Sequence, residues 1–446
     1  MDKKEIRFER FVKKEEEGTY FPIEFQVPDH VETLELSYAY TRFEQTESGY
    51  GETVKREINI VDLALCGAGG CYIGSSGSDR NHISIGPYGS SQGFAPSPIK
   101  PGTWSVILGA YKIAKEGCKV EYQVVFHEKK RRLYKGDTHL HTMGSDGNCS
   151  LEELALIARK EGLDYLVVTD HNNYAQNQQL PDIEGLTMIP GCEWTHYKGH
   201  AGMLGVKQPF ENPFCVNTRN QMEEKLEGAR TRGAKVVLNH PFCPNCGWRW
   251  GIEDTEYDLI EVWNGATPPA INRKCLDWWD SRLKEGRRIP VIGGSDFHRL
   301  GYGRMPASPC TCLYAWSRTG EDLMEAMAAG HGFVVYGPEG PMAYGEAGGK
   351  IFGDVISPDA EIEFHFWNLK EGDRIFLISD KDSQCFEISK DVTEFRCSHK
   401  AEGLVFLRAE ITRMMLPTGE MPALLTNPFY IEEKHTGDAK GCVPIH

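Results

Sequence analysis

The sequence lacks any apolar run long enough to cross a bilayer, and no apolar segment follows the charged start Met1-Asp-Lys-Lys-Glu-Ile-Arg. A transmembrane helix needs about 20 mostly apolar residues, and a signal peptide needs an apolar region behind its charged start. We therefore expect no membrane span and no secretory signal, and we predict a cytoplasmic protein. In that compartment the 14 cysteines are interpreted as reduced thiols.

Positive charge is also scarce, since 49 lysines and arginines face 64 acidic residues and the net charge is −15. A polymeric nucleic acid needs a basic face, so we expect no nucleic-acid polymer and no membrane among the partners. A small anionic substrate remains compatible, because a few cations in a cleft can outweigh the global charge. The sequence does not indicate an oligomeric state.

The 446 residues suggest two or three domains. Residues 1–132 alternate polar and apolar side chains and predict a β-sandwich-like amino-terminal domain. Residues 133–336 alternate strand and helix patterns, and residues 337–446 become β-rich again and predict a small carboxy-terminal β domain. The fold class is therefore α/β in the centre with β-rich flanks.

Within the central segment the predicted strands end at polar residues. Ser150-Leu-Glu-Glu153 has the form of a capping box and predicts a helix to about Glu161. Strands are predicted at Tyr165–Thr169, 236–238, 258–263 and 290–295, and further helices at 221–232, through Trp278 and Leu283, and at 321–329. Because strand-to-helix loops converge at the carboxyl ends of barrel strands, we expect a barrel-like domain rather than an open sheet.

Imidazoles and carboxylates recur at these strand ends. Residues two apart on a strand share a face, so His139 and His141 should project together, as should Asp296 and His298. The polar stretches that close the strand-like runs are Asp137-Thr-His139-Leu-His141, Ser145-Asp146-Gly147, Thr169-Asp170-His171, Gly191-Cys-Glu193, Gly199-His200, Asn239-His240-Pro241 and Asp296-Phe-His298. A set of His and carboxylate donors without cysteine suits Mn²⁺, Fe²⁺ or Zn²⁺. Clustered metals lower the pKa of a bridging water and supply hydroxide, so the pattern predicts a metal-dependent hydrolase.

These motifs in combination resemble those of the polymerase and histidinol phosphatase (PHP) superfamily over about two hundred central residues. Pro190-Gly-Cys-Glu193 with Gly199-His200-Ala-Gly-Met-Leu-Gly205 resembles the CehA/McbA-type branch. The resemblance implies a distorted (β/α)7 PHP barrel, here flanked by the amino-terminal and carboxy-terminal β-rich domains, that holds two or three divalent metal ions.

The resemblance also implies the ligands. The first metal would be bound by His139, His141, Glu193 and Asp296, the second by Glu193, His200 and His240, and the third by Asp146, His171 and His298. Catalysis would rest on Glu193, His200, Asp296 and His298. His196 is a rival for the place of His200, which we prefer for its Gly-His-Ala context, and Asp170 is expected to orient a ligand.

We predict a metal-dependent phosphoesterase that hydrolyses a small phosphorylated metabolite by attack of a metal-bridging hydroxide. Arg299 is the candidate substrate-binding residue, because a guanidinium can bind phosphate through two hydrogen bonds; Lys198 and Arg304 are weaker candidates. The alternatives are a carboxyl or carbamate ester hydrolase of the CehA type and a non-catalytic metal-binding scaffold. Cys243-Pro-Asn-Cys246 is a single CxxC motif, which we interpret as shaping the mouth of the site.

Overall fold

The computed structural model describes residues 4–47, 53–301, 305–415 and 419–432. The chain forms two compact units, Met1–Arg131 and Arg132–His446, which we call unit 1 and unit 2. None of the helices in the described ranges has the length and apolarity needed to cross a membrane.

Unit 1 consists of β-strands, as the alternating pattern predicts. Its strands are β1 (Lys4–Val12), β2 (Tyr20–Val27), β3 (Val31–Tyr40), β4 (Phe43–Glu47), β5 (Thr53–Glu57), β6 (Ile60–Cys66), β7 (Tyr72–Ser76), β8 (His82–Ile85), β9 (Gly102–Lys112) and β10 (Cys118–Glu128). Two antiparallel sheets, in the orders β1-β10-β3-β8 and β2-β9-β6-β7, enclose one core. Leu36 and Val124 enter that core from the first sheet and Leu63 and Val106 from the second, each at most 1% exposed. Strands β4 and β5 pair with each other.

Unit 2 mixes helices and strands. Its elements are β11 (Arg132–Asp137), α1 (Leu151–Lys160), β12 (Tyr165–Val168), β13 (Thr187–His196), β14 (Gly199–Leu204), α2 (Arg219–Thr231), β15 (Lys235–Asn239), β16 (Leu259–Asn264), α3 (Pro269–Lys284), β17 (Val291–Gly294), β18 (Cys310–Ala315), α4 (Gly320–Ala328), β19 (Gly332–Val335), β20 (Met342–Ala347), β21 (Lys350–Ile351), β22 (Val355–Ile356), β23 (Glu361–Trp367), β24 (Arg374–Ser379), β25 (Ser383–Glu387), β26 (Glu394–Lys400), β27 (Phe406–Met415), β28 (Gly419–Thr426) and β29 (Phe429–Ile431).

The predicted central elements agree with the observed bounds to within one or two residues. Helix α1 begins after Ser150, whose hydroxyl accepts a hydrogen bond from the Glu153 backbone while the Glu153 side chain bonds back, as the capping box predicts. Helix α4 ends before Gly330, which has a φ of 71°. Glycine adopts this left-handed backbone without the steric cost that a Cβ brings.

Strict alternation of strand and helix is wrong for the middle of unit 2. Strands β13 and β14 form an antiparallel hairpin, and β14 pairs antiparallel with β15, whereas β11-β12-β13 and β15-β16-β17 are parallel. Only a 3-10 turn, Ala175–Gln178, lies between β12 and β13. Unit 2 is therefore a strand-rich mixed α/β structure, with four α-helices among the described residues.

Strands β11 to β17 are hydrogen-bonded to one another in sequence order, and we call this run of strands the arc. The segments that follow its first and last strands, β11 and β17, contact each other. The backbone N–H of Asp296 donates to the carbonyl of His139 at 2.8 Å, and the N–H of His141 donates to the carbonyl of Phe297 at 2.8 Å. At the end of β17, a Cβ on Gly294 would lie 2.3 Å from Cβ of His139. The two histidine motifs at the ends of the arc are thus hydrogen-bonded neighbours.

The strands after residue 337 continue the sheet of unit 2. Strand β19 pairs with β28, which pairs with β27 and so leads to β24 and β25. A second sheet, β21-β20-β23-β26, packs Phe364 and Phe366 into the core cluster that contains Leu166 and Phe333. A separate domain beginning at residue 337 stays a prediction.

A buried ion-pair network joins α3 to β27. The guanidinium of Arg408, 1% exposed, donates to both carboxylate oxygens of Asp280 at 2.7 and 2.6 Å and lies 3.2 Å from Glu410. Glu410 also accepts a bond from Arg273 at 2.9 Å, and Arg408 lies over the ring of Trp279. Buried charges persist only when they are paired, so this network ties the helix to the strand.

Candidate metal centre

The sequence-predicted site residues meet along one edge of the sheet that strands β11 to β17 form. They lie just after or within successive strands: His139 and His141 after β11, His171 after β12, Glu193 in β13, His200 in β14, His240 after β15, and Asp296 and His298 after β17. Asp146 lies in the loop that follows β11. Parallel strands bring their carboxyl ends to one edge of a sheet, and the β13–β14 hairpin brings two further donors to the same place.

Glu193 lies at the middle of this cluster and is fully buried. Oxygen Oε1 lies 3.2 Å from Nε2 of His139, 3.3 Å from Nδ1 of His200 and 3.3 Å from Nε2 of His240. Oxygen Oε2 lies 2.8 Å from Nδ1 of His171. The two oxygens of one carboxylate therefore face imidazoles from four different strands.

Asp296 forms a second group of donor atoms, next to the group around Glu193. Its Oδ1 lies 3.1 Å from Nε2 of His141 and 3.5 Å from Nε2 of His139. The donor atoms of His139, His141 and Asp296 all lie within 4.8 Å of one another, close enough for one ion to bind all three.

Asp146 forms a third group of donor atoms, which is open to solvent. Its Oδ1 lies 3.4 Å from Nε2 of His298 and 3.7 Å from Nε2 of His171. Together with His141, these residues offer four donor atoms within 4.8 Å of one another. The side chain of Asp146 is 56% exposed and that of His298 is 23% exposed, against 2% or less for His139 and Glu193. The site therefore opens on the side of Asp146 and His298.

The donor atoms fit a group of divalent metal ions. Nε2 of His139, Nδ1 of His141, Oε2 of Glu193 and Nδ1 of His200 are buried and, although three of them lie close to another polar atom of the cluster, none makes a hydrogen bond of acceptable geometry to the described residues. A buried polar atom without a partner costs about 1–3 kcal/mol, and a cation would supply the missing partner for several of these atoms at once. The nitrogen and carboxylate set suits Mn²⁺, Fe²⁺ or Zn²⁺.

The electrostatics of the cluster favour a cation. Burial alone would lower the pKa of His139, but Glu193, Glu261 and Asp296 outweigh it and hold that pKa well above its ordinary value. Burial would raise the pKa of Glu193, but His139 and His200 hold it well below its ordinary value. The negative field that attracts protons here also attracts metal ions, so metal binding would release protons.

Two aspartates fix the backbone of the motifs. Asp137 is fully buried and accepts hydrogen bonds from the backbone N–H groups of His139, Ser295 and Ala307. Asp170 accepts bonds from the N–H and the hydroxyl of Thr142 at 2.8 and 2.7 Å. Asp170 thus holds the segment that follows His141, and among the described residues its side chain bonds to Thr142, Ser145 and Gln176 and to no imidazole.

The structure places His200, and not His196, beside Glu193. Alternate residues of β13 face opposite sides, and His196 lies on the side away from Glu193, stacked on Trp194 at 5.7 Å between ring centroids and 5.0 Å from Trp250. Arg299 follows His298 with an exposed side chain. The ammonium of Lys198 lies 4.4 Å from the ring centroid of Trp250, and Arg304 lies outside the described residues.

The sequence interpretation missed Glu261, a buried residue of β16. Its Oε1 lies 3.0 Å from Nδ1 of His139, and its Oε2 accepts the backbone N–H of His240 at 2.8 Å and the Asn264 amide at 3.1 Å. A lone glutamate inside the apolar run Leu259–Trp263 was the signal that could have revealed it, because an unpaired acid is rarely buried.

We expect Glu261→Gln to weaken metal binding about 10- to 100-fold, the usual cost of losing a group that orients a metal-binding histidine. The amide keeps the shape of the side chain but not the charge that holds the His139 ring. The measurement is competition with a chromophoric chelator, with Glu224→Gln, an exposed residue of α2, as the matched control. An affinity equal to that of the control would show that Glu261 does not orient the site.

No protein-family model matches the chain. Over 205 residues it is 23% identical to the DNA polymerase/3'-5' exonuclease PolX of Bacillus subtilis, an alignment covering 37% of this chain and 34% of that protein. The chain thus spans about a third of the length of the polymerase. Over 147 residues it is 27% identical to an uncharacterized protein of Methanocaldococcus jannaschii, covering 29% of this chain and 81% of that protein.

Among solved structures, the chain is similar to a two-domain protein of Bacteroides vulgatus described as containing a predicted PHP-like metal-dependent phosphoesterase. The match has a TM-score of 0.36 and 17% sequence identity, and it covers 66% of this chain and 95% of that one.

Proposed function

We propose that the chain is a metal-dependent hydrolase of the PHP superfamily, of the CehA/McbA type, that cleaves a phosphoric ester of a small metabolite. The observation that carries the proposal is the convergence of six histidines and two carboxylates around Glu193. The polymerase relative is also named for an exonuclease activity, and exonucleases cleave phosphodiester bonds. We further infer that the arc β11 to β17 is a distorted (β/α)7 barrel, an inference supported by the hydrogen bonds between its two ends.

Three sets of residues, the first two of which share Glu193, would each hold one ion. His139, His141, Glu193 and Asp296 would bind the first, Glu193, His200 and His240 the second, and Asp146, His171 and His298 the third. When bound, such ions activate water as the nucleophile and polarise the phosphoryl oxygen. Glu193 would be shared by the first two, because its Oε1 faces His139 of the first set and His200 and His240 of the second.

The chain's own residues would orient and admit the substrate. The deep donors His139 and Glu193 exclude solvent on one side, whereas Asp146 and His298 border the opening. A phosphate that enters there would lie near Arg299, whose guanidinium would bind its oxygens. Asp296 and His298 flank the same opening and would face the reacting bond.

Arg299→Ala should lower kcat/KM for a phosphomonoester about 10- to 100-fold, since a hydrogen bond to a charged group contributes about 1.5–3 kcal/mol. Hydrolysis of the neutral ester p-nitrophenyl acetate should be unchanged. Steady-state kinetics with p-nitrophenyl phosphate and p-nitrophenyl acetate measure both. Equal losses with the two substrates would contradict a phosphate-binding role.

A carboxyl or carbamate ester hydrolase is the second candidate, because apolar side chains are exposed next to the motifs. Met143, Leu300 and Met305 are 67%, 48% and 37% exposed and lie within seven residues of His141 or His298 in the sequence. An apolar leaving group could pack against such side chains.

A substrate screen tests the proposal directly. Purified protein, with Mn²⁺, Fe²⁺ or Zn²⁺ added, is assayed with p-nitrophenyl phosphate, bis-p-nitrophenyl phosphate and p-nitrophenyl acetate. Turnover of a phosphate ester supports the proposal, and turnover of the acetate alone supports the second candidate. Bound metal without any turnover would indicate a non-catalytic scaffold.

A further inference from the structure

Two cysteines lie together in the loop after β15. Sγ of Cys246 lies 3.0 Å from Sγ of Cys243, and both residues are half-buried. We call residues 240–248 the dithiol loop. Its path is fixed by backbone hydrogen bonds from Cys243 to the His240 carbonyl and from Gly247 to the Cys243 carbonyl, each 2.9 Å. A Cβ on Gly247 would lie 2.4 Å from the latter oxygen, so only glycine allows this turn.

Arg249, the residue that follows the dithiol loop, anchors the loop to the hairpin that carries Glu193 and His200. The N–H of Arg249 donates to the carbonyl of Lys198 at 2.6 Å, and the Arg249 guanidinium donates to the carbonyls of Pro244 and Asn245 at 3.0 and 3.2 Å. The two sulfur atoms are therefore held close together by the surrounding fold.

The loop contacts the metal centre through one imidazole. Nδ1 of His240 lies 3.6 Å from Sγ of Cys246, while Nε2 of the same ring lies 3.3 Å from Glu193. Cys246 thus contacts the ring nitrogen of His240 that points away from Glu193. Glu261 contacts the corresponding nitrogen of His139. Movement of this sulfur would change the contacts that orient His240.

The pair differs from the other close cysteines. Cys310 and Cys312 also lie near each other, with 3.9 Å between their sulfur atoms, but both are fully buried. A dissolved oxidant can reach a half-buried thiol but not a fully buried one. Cys243 and Cys246 therefore have sulfur atoms that lie close together and that a dissolved oxidant can reach.

We propose that Cys243 and Cys246 form a reversible disulfide that weakens metal binding at the centre through His240. This inference rests on the proposed function. The oxidant is a small-molecule disulfide such as oxidised glutathione: one thiolate attacks it and releases one thiol, then the second cysteine attacks the mixed disulfide and releases another. Two protein thiols and one disulfide thus give one protein disulfide and two small thiols.

Bond formation requires a small movement with a specific consequence. The sulfur atoms must approach from 3.0 Å to the bond length of about 2.0 Å. Cys246 then lacks its S–H and can no longer donate to Nδ1 of His240, so the ring loses a hydrogen-bond donor on that side. Loss of a group that orients a metal ligand lowers affinity about 10- to 100-fold.

The test compares reduced and oxidised full-length protein, with Mn²⁺ and Zn²⁺ as the probes. Peptide mass spectrometry after thiol alkylation should identify a Cys243–Cys246 disulfide after treatment with oxidised glutathione. Chelator competition should give an affinity about 10- to 100-fold lower in the oxidised protein, restored by dithiothreitol. Cys243→Ser should form no such disulfide and keep the affinity of the reduced protein in both conditions, once mass spectrometry excludes a glutathione adduct. Cys215→Ser, which removes an exposed single cysteine, should respond like the wild type.

Two results would overturn the proposal. Absence of the disulfide, or a disulfide that changes the affinity less than about twofold, would exclude this role while leaving the metal centre intact. If the reduced protein binds neither ion, this proposal and the proposed function both fail, and chelator competition on the reduced protein distinguishes that failure from the other two.

Discussion

Glu193→Gln should abolish hydrolysis, with kcat/KM for the best phosphate ester reduced at least about a thousandfold, or roughly 4 kcal/mol. The substitution keeps the size of a fully buried side chain but replaces a charged oxygen with an amide N–H₂. Five imidazoles that now face the carboxylate oxygens of Glu193 would lose that charge, and two of the proposed ions would lose their shared ligand. Elemental analysis should find less bound metal alongside the kinetic loss.

The matched control is Glu363→Gln, on the exposed face of β23, which should behave like the wild type. Circular dichroism of both variants shows whether the fold is retained. A folded Glu193→Gln protein with wild-type activity and metal content would show that the centre of the site has been misidentified.

Arg408→Ala should destabilise unit 2 by about 3–5 kcal/mol, the usual cost of removing one member of a buried ion pair. The change leaves Asp280 and the buried Glu410 without the cation that bonds both, and it removes a side chain that covers Trp279. Denaturant unfolding followed by tryptophan fluorescence reports on this unit, since all nine tryptophans except Trp104 lie after residue 131.

Two companion variants separate charge from packing. Arg408→Met restores much of the buried alkyl volume and should therefore lose less stability than the alanine variant. Arg396→Ala, on the exposed side of β26, should change the free energy of unfolding by less than about 0.5 kcal/mol. An alanine variant at position 408 as stable as Arg396→Ala would mean that the network contributes nothing net.

Local pattern was enough to predict the helices and many of the strands of unit 2. The capping box at Ser150 and the apolar run at Tyr165 are each read from a few neighbouring residues, and both elements form where predicted. The β13–β14 hairpin was missed because its strands carry site residues and small residues instead of a regular alternation. Pairing of β19 with β28, about ninety residues away, leaves no local trace in either strand.

The convergence of the site residues could be anticipated because histidines and carboxylates close successive strands. What holds them was harder to anticipate. Glu261 lies inside the apolar strand β16 and contacts His139, and Asn239 lies at the end of β15 and donates to Glu193. These contacts depend on how separate strands pack. Cys246 was recognised only as part of a CxxC motif, since its position behind His240 follows from the path of the dithiol loop.

The ladder between β19 and β28 affects any attempt to produce the histidine-rich segment as a fragment. A polypeptide stopped shortly after Val335 would leave the edge of β19 that now faces residues 424–426 open to solvent, with backbone groups such as the Gly332 carbonyl, which accepts from Asn427, unpaired. Bare strand edges of this kind recruit strands from other molecules and promote aggregation. A workable truncation would need a proline or lysine placed along that edge, or a short peptide supplied in its place.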